Sequence, residues 1–156
     1  MRYVLSYIYH FFISNSRHGT HSPFVYALAE QVIYNRQYKL KRHVEFLVGV
    51  RLTYKPLLEK ILDYLLISTV SKEANNNLGE ACWSCSPVEM KVEEVLMAIE
   101  AGKLVIVDQP YKKSNRKFWK TIIKDPRVIV SINLFHFGLL MYRQGQQKED
   151  FLLRYL

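Results

Sequence analysis

Leu104, Val105, Ile106 and Val107 follow one another without a polar interruption and stop at Asp108. A run without alternation cannot line a sheet that is wet on one side. It suits a strand covered on both faces, as in parallel sheets layered with helices. The chain must therefore supply helices around it, and the flanking residues read as such. Upstream, Ser86 is a cap, Pro87 takes the first helical position and Glu89 completes a capping box, while Val92, Val95, Leu96 and Ile99 form the buried stripe and Gly102 ends the helix. Downstream, residues 114–124 make a helix with Phe118, Trp119, Ile122 and Ile123 inward, stopped at Asp125-Pro126.

The remaining segments fit around this unit. Residues 128–134 and 137–142 are β-rich and closely spaced, which predicts an antiparallel hairpin. Residues 67–70 read as a short strand, and residues 71–79, with Asn75, Asn76 and Asn77, as a loop. Tyr3, Val4, Tyr7, Ile8, Phe11 and Phe12 recur at helical spacing, and Ser22-Pro23 opens a second helix whose stripe is Phe24, Leu28 and Val32. Between residues 40 and 66 the apolar positions, Leu47 and Val50 among them, again recur helically, with a break near Thr53. The expected class is α/β, a single domain over residues 1–156 with an N-terminal helical segment over 1–54 and the α/β core over 55–156.

Composition narrows the function classes. Of 156 residues 49% are apolar, and 22 Lys and Arg face 14 Asp and Glu, a net charge of +8 that favours polyanionic partners. The excess sits at residues 1–43 and again at 112–127, where seven Lys or Arg meet one Asp, whereas residues 71–102 are acidic. The longest apolar stretch, residues 3–13, is shorter than the roughly 20 residues that span a bilayer. No small-residue cleavage site follows it, so the expectation is a cytoplasmic protein without a membrane partner. Cys82 and Cys85 cannot form a disulfide framework. Their C-x-x-C spacing ahead of a helix admits dithiol chemistry, but buried structural cysteines are the preferred reading. No paired Cys or His has zinc spacing, and no metal is expected.

Arg17-His18-Gly19-Thr20-His21-Ser22-Pro23-Phe24-Val25-Tyr26 resembles the N-terminal signature of a bacterial family of class I S-adenosylmethionine-dependent methyltransferases. The second half is similar to the same family in order: a buried strand ending in acid at Asp108, a helix holding Phe118-Trp119, a terminal hairpin, and the tail Gln146-Gln147-Lys148-Glu149-Asp150-Phe151. The matching parts cover roughly two-thirds of the chain. The resemblance implies a seven-stranded sheet whose first strand enters a Gly-rich turn against the cofactor, with an acid ending the second strand on the ribose hydroxyls.

Here the residues after 67–70 hold one glycine, Gly79, and no G-x-G spacing. About thirty residues separate that strand from Leu104, too few for two complete βα units. The second and third strands are expected to be missing, leaving a reduced Rossmann-like sheet that is small and open beside residues 67–70. That edge would be covered by the Asn-rich loop, the N-terminal helices or a second subunit. Asp108-Gln109 stands where a pair of acids would be expected, so Asp108 is the only catalytic candidate and a metal-assisted role there is weakened.

The expected function is a shortened methyltransferase-like protein, non-catalytic and without cofactor, with an interaction or regulatory role and a homodimeric state in view. The alternatives are an active methyltransferase whose S-adenosylmethionine site is unusual or shared across a dimer, and a basic nucleic-acid-binding module. Arg17, His18 and His21 before the Pro23 helix are anion-binding candidates, weighed against a loop fixed by backbone hydrogen bonds. Lys112, Lys113 and Arg116 are further candidates for weak polyanion contact, weighed against a solvated helix face.

Overall fold

The computed structural model describes residues 2–14, 22–72, 81–84 and 92–155. Among the described residues five α-helices surround one sheet: α1 (Arg2–Ile13), α2 (Pro23–Leu28), α3 (Lys55–Tyr64), α4 (Val92–Glu100) and α5 (Lys113–Ile122). The strands are β1 (Glu45–Phe46), β2 (Thr69–Ser71), β3 (Ala81–Ser84), β4 (Leu104–Asp108), β5 (Val130–Asn133), β6 (Phe137–Met141) and β7 (Glu149–Leu152). Their spatial order is β1-β2-β3-β4-β6-β5-β7. The first four are parallel neighbours, β6 is antiparallel to both β4 and β5, and β7 runs parallel to β5.

All five residues of β4 are buried, and their alternation divides the core. Leu104 and Ile106 join the cluster under α2 and α3, while Val105 and Val107 join the cluster under α4 and α5. The continuous apolar run is explained by that double cover. The β5–β6 hairpin is as expected, with Asn133 opposite Gly138 and Val130 opposite Met141. Gly102 ends the α4 turn at φ 89, where only a residue without Cβ is unstrained, and Lys103 N–H reaches back to the Ala98 carbonyl at 2.9 Å. The cap expected at Ser86 and the loop expected around Asn75 lie outside the described residues.

Several expectations are corrected. The sheet is not small: it has seven strands, because β1, β3 and β7 add to those foreseen. Residues 40–53 are not helical. Their backbone instead pairs with β2, Glu45 N–H donating to the Ser68 carbonyl at 2.8 Å and Leu47 N–H to the Val70 carbonyl at 2.9 Å. The helix starts only at Lys55, ahead of Pro56 in its first turn. The edge beside β2 is thus occupied by β1, a two-residue strand, rather than by the expected covers. Cys82 lies on β3, a strand not foreseen, and Cys85 is outside the described residues. α2 continues into a π-helical turn, Ala29–Ile33, where Tyr34 N–H bonds the Ala29 carbonyl at 2.9 Å.

The steps β1-α3-β2 and β3-α4-β4 cross the sheet in the same direction, yet α3 and α4 lie on opposite faces. The two crossovers are therefore of opposite hand, and one departs from the right-handed rule. A strand as short as β1 constrains its crossover weakly.

Candidate functional site

The carboxyl end of β4 brings Asp108 into a cluster of aromatic and cationic groups. Its side chain is 8% exposed. The Tyr54 hydroxyl, from the residue that caps α3, donates to Asp108 Oδ1 at 2.5 Å. Arg51 Nε stands 3.4 Å from Oδ2, on a side chain that is 52% exposed. Below the carboxylate, Asn115 Nδ2 of α5 donates to the Asp108 carbonyl at 2.6 Å, so the start of α5 is fixed to the end of β4. A buried carboxylate needs such partners, since an unpaired one would carry its desolvation cost unrelieved.

The turn joining β5 to β6 closes one side. Gln109 takes a left-handed conformation, φ 43, and its N–H donates to the His136 carbonyl at 2.9 Å. The His136 ring lies parallel to Tyr54 with centroids 6.5 Å apart. Burial holds its pKa below the ordinary 6.5, and the Arg51 guanidinium pushes the same way against the pull of Asp108. His136 is accordingly a neutral imidazole at neutral pH.

α1 forms the roof. Tyr3 and Tyr7 pack on Phe135 with centroids 5.0 and 4.9 Å away. The Tyr3 hydroxyl is buried beside the Gln109 side chain without a hydrogen bond of full geometry, and burial followed by the charge of Asp108 raises its pKa. His10, one turn on, donates from Nε2 to the Leu153 carbonyl at 3.0 Å, so its Nδ1 accepts from the Tyr111 hydroxyl, also at 3.0 Å. That arrangement selects the neutral tautomer, consistent with a pKa lowered chiefly by burial.

Of the residues singled out in the sequence, Asp108 is thus at the centre of a cluster. Lys112, Lys113 and Arg116 are exposed at the start of α5 and do not join it. Lys113 and Arg116 instead line a depression with Lys117, Lys120 and Lys124 along that helix. Phe118 and Trp119 are each 7% exposed, so their ring faces belong to the core and are not offered for stacking on bases. Arg17, His18 and His21 lie outside the described residues. Arg51, Tyr54, Tyr3 and His136 were not anticipated, and no local signal marks them. Their role arises from contacts with residues more than fifty positions away, or more than twenty for His136. Among the described residues no three His, Cys, Asp or Glu side chains come together as a metal site.

The two segments that carry the family resemblance meet in space. Ser22 caps α2, accepting from Val25 N–H at 3.3 Å, and its hydroxyl also accepts from Gln146 Nε2 at 2.9 Å. The Arg143 guanidinium stacks over Phe24 at 3.7 Å. Lys148 donates from Nζ to the carbonyls of Ile123, Asp125 and Val128, closing the end of α5. Comparison of the chain with protein-family models, with curated proteins and with solved structures returned no match.

Proposed function

We propose that this chain is a shortened relative of the methyltransferases it resembles, in which the strand-end acid has become a structural member and the domain serves a non-catalytic interaction or regulatory role. The observation that carries this reading is the engagement of Asp108: Tyr54, Arg51 and Asn115 hold its carboxylate and backbone from three sides. Support for the ancestry comes from the order of β4 ending in acid, α5 with Trp119, the β5–β6 hairpin and the Lys148 tail. Beside β2, the neighbouring strand β1 ends in Phe46 rather than in an acid, and its carboxylate, Glu45, lies one residue before that end.

Isothermal titration with S-adenosylmethionine and its demethylated product tests the reading. No saturable heat at millimolar ligand is the expected result. A dissociation constant below about 100 µM, lost in Asp108→Ala, would restore the enzyme with an unusual or dimer-shared site.

A further inference from the structure

α1 is built inside out. Its polar-tipped side chains, Tyr3, Tyr7 and His10, face the protein, where they pack on Phe135. Val4, Leu5, Ile8, Tyr9 and Phe12 fall on the opposite side at helical spacing, and their exposure runs from 46% at Ile8 to 77% at Phe12. Isolated exposed apolar residues are ordinary, but five on one helix face form a stripe of the kind that marks a contact.

The ground beside the stripe is cationic. Tyr9 shares a cavity of about 410 Å³ with Arg116 and Lys120 of α5. Those two residues continue into the basic face that also carries Lys113, Lys117 and Lys124.

We infer that α1 and α5 together form a docking surface for an anionic lipid bilayer. α1 lies in the headgroup layer with Phe12 and Ile8 toward the acyl chains, and the α5 lysines meet the anionic headgroups. Two arguments favour this occupant over a second copy of the chain. The stripe is the outer side of a single surface helix, a ridge that a deformable bilayer accepts to a depth of about 5–10 Å. A second copy brings the same net charge of +8, whereas an anionic surface complements it. Among the described residues no helix is long and apolar enough to cross a membrane, so the association is along the surface.

This inference names a partner for the interaction role proposed above and rests on that reading only to that extent. A chain that bound both S-adenosylmethionine and vesicles would sink the non-catalytic reading and leave the docking surface standing. The test is co-sedimentation of the full chain with vesicles of phosphatidylcholine alone and of phosphatidylcholine with phosphatidylglycerol at roughly 7:3, alongside sedimentation equilibrium without lipid. Binding to the anionic vesicles is expected to be at least about tenfold tighter than to the neutral ones. Each lysine near such a surface is worth about fivefold, so Lys117→Gln with Lys120→Gln should weaken it about 25-fold. Phe12→Asp, at an exposed position where folding is unaffected, should abolish it. Absence of binding to either vesicle, or binding retained in Phe12→Asp, overturns the inference. So does a lipid-free dimer that Phe12→Asp dissociates, which would make the occupant a second copy.

Discussion

Gln146 donates a hydrogen bond to the Ser22 hydroxyl at 2.9 Å across 124 positions of sequence. The same oxygen accepts from Val25 N–H and caps α2, so one hydroxyl ties the turn after β6 to the start of a helix. Ser22→Ala removes both bonds and should cost about 1–2 kcal/mol, the usual worth of an N-cap with a further bond. Gln146→Ala should cost less, and the double variant less than the sum of the two. Chemical denaturation of the three variants measures this, and strict additivity would show that the two side chains act independently.

Acid should destabilise the fold in a defined window. The pKa values of His10 and His136 are both lowered, mainly by burial, from an ordinary 6.5. Between the folded and unfolded values the unfolded chain binds more protons, so this contribution is complete above about pH 6.5 and is lost as pH falls below it. Urea midpoints measured from pH 8 to pH 5 should fall on the acid side. His10→Phe should flatten the profile while lowering stability by about 2 kcal/mol, since Tyr111 and the Leu153 carbonyl lose their partner. An unchanged slope in that variant would assign the effect to other groups.

Gly138 cannot acquire a side chain. A Cβ built there would lie 2.4 Å from Cη2 and Cζ3 of Trp119 and 3.1 Å from Pro110 Cγ. The indole is itself core, so it cannot swing into solvent, and Gly138→Ala should destabilise by about 1–3 kcal/mol, as overpacking does. Thermal unfolding with tryptophan fluorescence reads both the loss and the displaced ring.

Tyr54→Phe removes the hydroxyl that donates to Asp108. A hydrogen bond to an ionised group is worth about 1.5–3 kcal/mol, and that loss is expected here. Asp108→Asn should be tolerated better than Asp108→Ala, because an amide keeps an acceptor for Tyr54. Equal costs for Asn and Ala would argue against the structural role assigned to the carboxylate.

The basic face of α5 should bind oligonucleotides only weakly. With Phe118 and Trp119 buried, only phosphate contacts remain, and these weaken steeply as salt rises. Fluorescence anisotropy with single-stranded and duplex DNA over a salt series should show binding that vanishes near physiological ionic strength. Sub-micromolar binding that persists there would favour the nucleic-acid alternative.

What was legible in the sequence was what local pattern can encode. The run from Leu104 to Asp108 announced a strand covered twice, the spacing of Phe118, Trp119 and Ile122 gave the inward face of α5, and Gly102 marked a helix end. β1 was not legible, because Glu45 and Phe46 are a strand only by virtue of β2 beside them. β3 was missed because Cys82-Trp83-Ser84 has neither alternation nor β-branched residues. Periodicity in α1 showed a regular helix but not which side faces in. Aliphatic residues suggested burial of Val4 and Ile8, whereas the His10 hydrogen bonds and the packing of Tyr3 and Tyr7 on Phe135 hold the other face inward. The cluster around Asp108 was the least visible part, since Arg51 and Tyr54 reach it from 57 and 54 positions upstream.

The bond from His10 to the Leu153 carbonyl spans 143 positions, and β7 just before it is held to β5. During synthesis, therefore, α1 leaves the ribosome well before Phe135, on which it packs, and Leu153, to which His10 bonds, have followed it. Through that interval its apolar stripe and its aromatic face are both open to the cell. Long-range closure of this kind is slow, and exposed apolar surface invites association with other chains while it lasts. Nascent chains stalled before residue 149 should consequently engage holding chaperones, and release should coincide with the arrival of the β7 residues.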